Sequence, residues 1–362
     1  MEKTNMKFIH CSDIHLDSPM ESNLTAQQAR ERNAELCATF ARMVSFAKTE
    51  GVTAVLIAGD LFDTERISAT TARFLLDTIA SAPTVSFLYL KGNHDESHRA
   101  FGGMALPENL LGFTDRPTSY TFGNVTITAA ELTDCSCITL YDELHLHEDA
   151  VNILMLHGQT APQVGEELVC LPRLKGKHID YLALGHLHSY QQGVLDNRGI
   201  WCYSGCLEGR GYDECGEKGF VLLELAGSTL SHRFVPFAKR TLHHVIVDIT
   251  GLSDTPAMLT ALTAAAAHIP ETDLVKFTLS GTYTADTHKD LPFLQNMLAQ
   301  RFYALKLKDE SRLHIDVAAY ENDISLKGEF LRLVLASDLP EADRDRIICA
   351  GLEALRGEEI SL

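Results

Sequence analysis

The chain has 362 residues, 45% of them hydrophobic and 22% charged, with a formal net charge of -18. Its length allows two domains with a sizeable core, and its composition excludes an intrinsically disordered chain. The charge excludes a generally basic nucleic-acid binder: residues 1–240 and 241–362 carry -10 and -8, so a phosphate-backbone ligand needs a local basic strip, bound cations or a partner subunit to offset repulsion.

The first residues are polar, and the apolar run that follows is too short for a signal-peptide core or a membrane span. The expectation is a cytoplasmic protein without a membrane partner. The nine cysteines are odd in number and scattered, with no C-x-x-C pair, and Cys135 with Cys137 and Cys202 with Cys206 are the close ones. Reduced thiols fit this better than a disulfide framework or a structural zinc site.

In chain order, Lys7 to Cys11 reads as a strand that ends in Ser12-Asp13-Ile14-His15. An Asp and a His one residue apart on an extended segment project to the same side and can hold one cation together. Taken alone, D-x-H is better read as a polar loop. Residues 25–49 read as an amphipathic helix carrying Leu36, Phe40, Met43 and Ala47 on its apolar face, with Glu50-Gly51 as its end. Thr53 to Ala58 is a buried strand that stops at Gly59-Asp60-Leu61-Phe62-Asp63, where the missing side chain of Gly59 permits close approach of the backbone to whatever Asp60 holds. A helix over Ser68 to Ala80 leads to the strand Val85 to Leu90, which ends in Lys91-Gly92-Asn93-His94-Asp95. Strands alternating with helices imply a parallel sheet, whose chemistry gathers at the carboxyl ends of the strands.

The pattern then changes to short alternating segments. Ser119 to Phe122 and Asn124 to Ala129, hinged at Gly123-Asn124, predict a hairpin of a second sheet. Val151 to Leu156 is a buried strand ending in His157-Gly158, and Tyr181 to Leu184 is another ending in Gly185-His186-Leu187-His188. The two histidines alternate beyond the strand and face one side, where neutral imidazole serves transition metals. Leu144-His145-Leu146-His147 repeats that spacing, but no glycine or strong buried strand precedes it. It reads as a strand with one wet face, and His145, His147, His243 and His244 receive no role.

The order Asp13-x-His15, Gly59-Asp60, Gly92-Asn93-His94-Asp95, His157-Gly158 and Gly185-His186-x-His188, each after a buried strand, resembles the calcineurin-type metallophosphoesterase superfamily. Within it, Phe8 to Pro19, Tyr181 to His188, Ser204 to Gly211 and Glu217 to Phe220 resemble the DNA-repair exonucleases related to the SbcCD nuclease subunit, especially the YhaO-like branch. The resemblance spans residues 6 to 235. It implies an α/β fold, a four-layer α/β/β/α sandwich over residues 1–238, followed by a smaller C-terminal α+β capping domain over 239–362.

The resemblance also implies the site. One metal falls to Asp13, His15, Asp60 and His188, and the other to Asp60, Asn93, His157 and His186, with Asp60 bridging. Mixed oxygen and nitrogen ligands suit two transition-metal ions, Mn2+ first and Fe or Zn as alternatives. Cations about 3.5–4 Å apart hold a phosphate and activate a shared water for in-line attack on phosphorus. His94 then protonates the leaving alkoxide or stabilises its charge, and Asp95 orients its ring. Arg210 and Lys218 are candidate phosphate contacts. Two positions depart from the close relatives: Asp63 stands where the best-known nuclease subunits often have histidine, although the YhaO-like branch commonly has Asp there, and Ser204 stands where relatives often have proline.

Past Pro236 to Arg240 the esterase pattern ends. His244 to Ile249, Leu274 to Ser280 and Leu313 to Val317 read as strands. Thr255 to His268, Leu291 to Phe302, Leu326 to Ala336 and Glu341 to Leu355 read as helices. This part holds no ligand cluster and is an interaction or packing module on its own residues. In SbcCD-type relatives a domain in this place caps the nuclease and helps position DNA and the ATPase, and Lys327 to Arg332 resembles a segment of it.

The expected function is therefore metal-dependent hydrolysis of DNA phosphodiester bonds, as an exonuclease or endonuclease in DNA repair, with an SbcC-like or YhaN-like coiled-coil ATPase as partner. Close relatives also form homodimers. The alternatives are a small-molecule or cyclic-nucleotide phosphoesterase and, last, a non-catalytic scaffold that keeps the fold.

Overall fold

The structure, a computed structural model, describes residues 5–20, 24–63, 67–95, 101, 103–284, 287–314 and 322–356. Two compact units divide the chain, residues 1–242 and 243–362.

The first unit starts with the expected alternation: β1 (Asn5–Cys11), α1 (Ala26–Thr49), β2 (Ala54–Ala58), α2 (Ala69–Ala80), β3 (Ser86–Leu90) and the short β4 (Leu110–Gly112). Local chemistry sets both helix starts. Thr25 and Gln28 form a reciprocal capping box before α1, and the Ser68 hydroxyl accepts from Thr71 N–H before α2, each satisfying amide groups that the first helical turn leaves free. The chain continues through β5 (Thr118–Phe122), β6 (Val125–Ala129), α3 (Ser136–Glu143), β7 (Val151–His157), β8 (Gln159–Ala161), β9 (Leu168–Cys170) and α4 (Leu171–Leu174). It closes with β10 (Tyr181–Gly185), β11 (Gln191–Val194), β12 (Ile200–Tyr203), β13 (Gly219–Ala226) and β14 (Thr229–Pro236).

These strands form two six-stranded sheets, ordered β14-β13-β1-β2-β3-β4 and β11-β12-β10-β7-β6-β5. The central strands β1, β2 and β3 run parallel in the first sheet, as do β6, β7, β10 and β12 in the second. Side chains alternate between sheet faces, so each central strand serves two cores. Phe8, Leu56, Leu88, Ile153, Met155 and Ala183 meet between the sheets. Ile9, Val55 and Phe87 pack outward on Leu36, Phe40 and Met43 of α1 and on Leu75 and Ile79 of α2, while Leu154, Leu156, Leu182 and Leu184 pack outward on Leu140 and Tyr141 of α3 and Leu174 of α4. The result is the four-layer α/β/β/α arrangement. Register positions the site: Cys11 pairs with Ile57, Ala58 with Leu90, and His157 with Gly185, so these strands end at one level.

The second unit contains β15 (Leu242–Asp248), α5 (Thr255–Ala265), β16 (Leu274–Ser280), β17 (Thr282–Thr284), α6 (Leu291–Ala299), β18 (Ala304–Asp309), β19 (Arg312–His314), α7 (Leu326–Leu335) and α8 (Glu341–Arg356). A three-stranded sheet, β15-β16-β18, packs its core with α5 and α6 through Met258, Leu262, Phe277 and Leu294. Leu331 of α7 packs on Ile348 and Leu352 of α8. Of the expected strand from Leu313 to Val317, residues 315–317 lie outside the described residues.

One expectation fails. Leu144 to His147 is irregular backbone after α3, not a strand. Leu144 is buried in the outer core, and the His145 ring turns back to the Glu143 carbonyl at 2.7 Å. The leucine–histidine alternation reflects a loop dipping into that core. Among the described residues no helix is long and apolar enough to cross a membrane.

Candidate metal centre

Five loops converge where β1, β2, β3, β7 and β10 end. Asp13, His15 and Asp60 have positive φ angles of 50°, 49° and 51°, and His186 one of 103°. Such non-glycine conformations are costly and cluster at functional sites. They turn the side chains back over the strand ends. A Cβ at Gly59 would overlap the His157 ring, and one at Gly92 would overlap the Asp60 carboxylate, so both glycines are required by close approach.

The nitrogens and oxygens brought together are of the kinds that could hold a metal ion. His15 Nε2 and His188 Nε2 face each other at 3.2 Å. Asp13 Oδ1 lies 3.7 Å from His188 Nε2. Asp60 Oδ2 stands between two imidazoles, 3.8 Å from His15 Nε2 and 3.4 Å from His157 Nε2, and Asn93 Oδ1 is 3.0 Å from His157 Nε2. Among the described residues, the His, Cys, Asp and Glu groups whose ligand atoms lie within 4.8 Å of one another are Asp13–His15–His188, Asp13–Asp60–His157 and His15–Asp63–His94. His186 belongs to none of these. Its N–H donates to both Asp13 oxygens at 3.0 and 3.1 Å, and its ring packs 5.5 Å from that of His157.

The donors fit divalent cations. His157 Nδ1 donates to the Ala58 carbonyl at 2.9 Å, which leaves Nε2 pointing at the oxygens of Asp60 and Asn93. That nitrogen needs either a second proton or a cation. Burial would push the His157 imidazole down, yet the Asp60 carboxylate, with Asp13 behind it, brings it up to about 9; the position favours positive charge. Burial likewise pushes the Asp60 carboxyl up, and His157 and His15 overcome it and hold it below the usual carboxylate range. Burial, with His157 beside it, pushes the His186 imidazole down, keeping it in the neutral form that binds metals.

The supporting groups show what sequence reading missed. His188 Nδ1 bonds Glu214 Oε1 at 2.7 Å, and Asp63 Oδ1 is 3.0 Å from His15 Nδ1. Carboxylates behind ligating histidines fix the ring and raise its basicity. Asp63 had shown only as a departure from relatives, and Glu214 follows no strand-end motif that would single it out. Ser204, the other departure, bonds Ser12 Oγ at 2.8 Å, and Ser12 donates to Asp13 Oδ2 at 2.5 Å. A proline there would remove that hydroxyl.

Three of the expected residues make contacts other than those expected of them. Asp95 does not address the His94 ring. Its carboxylate accepts from the N–H groups of Leu61, Phe62 and Gly92 at 3.0–3.1 Å, because the chain after Asp60 turns sharply and needs acceptors for its buried amides. His94 is exposed, with its ring edge-on to His15 at 5.1 Å between centroids and its N–H donating to Asp60 Oδ1 at 3.0 Å. Arg210 and Lys218, expected at phosphate, are engaged by the protein itself. Arg210 pairs with Asp63 and Glu214, and buried Lys218 donates to the His188 carbonyl at 2.7 Å.

Beside Asn93 and His157 opens a cleft of about 450 Å³, lined also by Lys91, Glu131, Asp134, Cys135, Glu166 and Glu167. Among the described residues lining it, the cation is Lys91, which pairs with Glu131 at 3.4 Å.

Residues 6–190, just over half of the chain, match the family described as calcineurin-like phosphoesterase. A metallophosphoesterase of Bacillus subtilis (strain 168) carrying the name YhaO, itself described as uncharacterized, is 27% identical over 274 residues, 70% of this chain and 66% of that protein. The chain thus spans just under two thirds of that relative. Similar solved structures include GAP50, the anchor in the inner membrane complex of Plasmodium, at 14% identity and a TM-score of 0.43, covering 66% of this chain and 86% of that one. A dimetal phosphatase from Danio rerio is similar at 12% identity and a TM-score of 0.42, covering 63% and 95%.

Proposed function

We propose that this chain, which belongs to the calcineurin-like phosphoesterase family, hydrolyses phosphodiester bonds in DNA with two divalent cations, acting with a coiled-coil ATPase of the SbcC or YhaN kind. The observation that carries the phosphoesterase reading is the convergence of three Nε2 atoms on the carboxylates of Asp13 and Asp60. Asp13, His15, His188 and Asp60 would hold one cation, and Asp60, Asn93, His157 and His186 the other. Mn2+ is the first candidate, with Fe or Zn as alternatives. Two cations held there would supply charge neutralisation of the phosphate and activation of a water for attack on phosphorus.

The chain's own groups supply the remaining steps. Glu214 and the Ala58 carbonyl hold the His188 and His157 imidazoles with Nε2 turned to the centre, and the Asp63 carboxylate stands 3.0 Å from His15 Nδ1. His94, at the exposed rim, gives a proton to the leaving alkoxide, and Asp95 keeps the Asp60 loop in shape. Support for DNA as substrate comes from the motif resemblance to DNA-repair exonucleases and from a second unit that would serve as the capping domain.

One observation favours a second reading, a small phosphodiester. The cleft beside Asn93 and His157 is walled by four acidic side chains, which repel a polyanionic strand and admit a compact leaving group.

Mn2+ titrations on end-labelled linear DNA, closed circular DNA and bis-p-nitrophenyl phosphate separate these readings. The expected result is cleavage of the small diester and shortening of linear DNA. Turnover of small diesters with linear DNA left intact, both alone and with the ATPase, sinks the DNA reading and leaves the second.

A further inference from the structure

We propose that Arg210 is a positioning residue that makes the two cation positions unequal. By holding Asp63 and Glu214 it locks His15 and His188 toward one position, which therefore binds its cation more tightly than the position lined by His157 and Asn93. The inference rests on reading the cluster as a metal centre and is independent of whether DNA is the substrate.

The geometry is a chain of contacts. Arg210 Nη1 lies 2.5 Å from Asp63 Oδ1, and its Nε and Nη2 lie 3.2 and 3.0 Å from Glu214 Oε1. The Arg210 N–H also donates to Glu214 Oε2 at 2.7 Å. From Glu214 a hydrogen bond continues to His188 Nδ1 at 2.7 Å, while Asp63 Oδ1 lies 3.0 Å from His15 Nδ1 as a charge contact without hydrogen-bond geometry; the Nε2 atoms of the two rings face each other at 3.2 Å. The guanidinium side chain is 18% exposed. A planar fork can hold two carboxylates at once in fixed directions, and a point-charge ammonium cannot.

Among the described residues, no carboxylate is hydrogen-bonded behind an imidazole of the other position. The partner of His157 Nδ1 is a main-chain carbonyl, that of Ala58, and Asn93 contributes a neutral oxygen. Carboxylate-backed imidazoles are stronger donors than carbonyl-backed ones, and losing such a partner costs about 10–100-fold in metal affinity. Arg210 adds a second effect: it neutralises part of the charge that Asp63 and Glu214 would otherwise place beside Asp13, so the two carboxylates can stand behind the ligands without repelling them.

Metal retention tests the assignment without any substrate. The full chain is loaded with Mn2+ and equilibrated against graded chelator, with bound metal per chain measured by mass spectrometry and circular dichroism recorded for folding. The wild type should release one ion first and retain the second to at least about 10-fold more chelator. Arg210→Ala and Arg210→Lys, both natively folded, should weaken the retained ion by about 10–100-fold and so merge the two steps. Glu214→Gln, which preserves shape, should do the same and serves if Arg210→Ala does not fold. Co2+ absorption bands report the tight position directly and should change in these variants. One-step release from the wild type, or unchanged two-step release from folded Arg210→Ala, overturns the proposal. Two-step release that Arg210 controls, in a protein that leaves DNA intact, upholds it while sinking the DNA reading.

Discussion

His157 shows how much one side chain is asked to do. Its Nδ1 is held by Ala58 and its Nε2 faces Asp60 and Asn93, so rotation of the ring would break contacts at both ends. Asp60 lies between His157 and His15, and Asp60→Asn should therefore remove both metals together. Metal analysis that finds one ion kept at full occupancy would contradict a shared carboxylate. His94 is different, since its ring stands at the exposed rim, edge-on to His15, with a ring nitrogen within 4.8 Å of His15 and Asp63. His94→Ala should lower turnover of bis-p-nitrophenyl phosphate by about 100-fold or more, with bound metal unchanged; loss of metal alongside activity would make it a ligand instead. Asp95 acts through the backbone. Asp95→Ala leaves the buried amides of Leu61, Phe62 and Gly92 without their acceptor, a loss of about 3 kcal/mol that urea unfolding would register.

Among elements, the strand ends carry the candidate ligands and the helices pack on the strands behind them. α1 also carries a buried ionic network. Arg32 pairs with Glu35 and Glu208 and donates to the Gly209 carbonyl at 2.8 Å, while Thr39 donates to Glu208 at 2.7 Å. These contacts fix the start of the loop that carries Arg210. Burial pushes the Glu35 carboxyl up, but hydrogen bonds from Arg240 and Lys239, with the charge of Arg32, outweigh it and bring it to about 2, below its free value of 4.5. A depressed carboxyl stabilises the fold above its unfolded pKa and loses that contribution as pH falls. Thermal stability should thus decline from pH 4.5 toward 2, and Glu35→Gln should flatten that part of the profile. An unchanged slope would assign acid sensitivity to other carboxyls. Most elements were legible in the sequence because apolar period and caps agree locally, as at Thr25 and Ser68. The segment Leu144 to His147 misled because alternation marks burial of every second residue, and a loop crossing a core edge produces that as well as a strand.

For the whole molecule the dominant fact is charge. A net charge of -18, with Arg210 and Lys218 bound to the protein's own groups, opposes tight binding of a phosphate backbone. With turnover blocked by His94→Ala, DNA affinity should fall by less than about 10-fold between 50 and 200 mM salt, against about 10³–10⁵-fold for proteins making six to ten phosphate contacts. Anisotropy titrations give that slope directly, and a steep one would reveal a basic track. Weak intrinsic affinity would leave DNA capture to a partner, in keeping with the proposed ATPase.

The family pattern and its five strand ends bearing ligand-type residues were decided by sequence alone, since buried strands and the residues that follow them are local features in fixed order. The candidate ligands Asp13, His15, Asp60, Asn93, His157 and His188 were named there and come together in space. The partners behind them were decided by tertiary structure. Asp63, Glu214 and Ser204 reach the centre from loops far apart in the chain, and Asp95 and Arg210 turn toward protein groups that no spacing rule connects to them. A hydrogen bond between distant loops depends on sheet order and register, which are set by how the two sheets bury their faces. The pairing of Cys11 with Ile57 and of His157 with Gly185 therefore determines what stands behind each histidine.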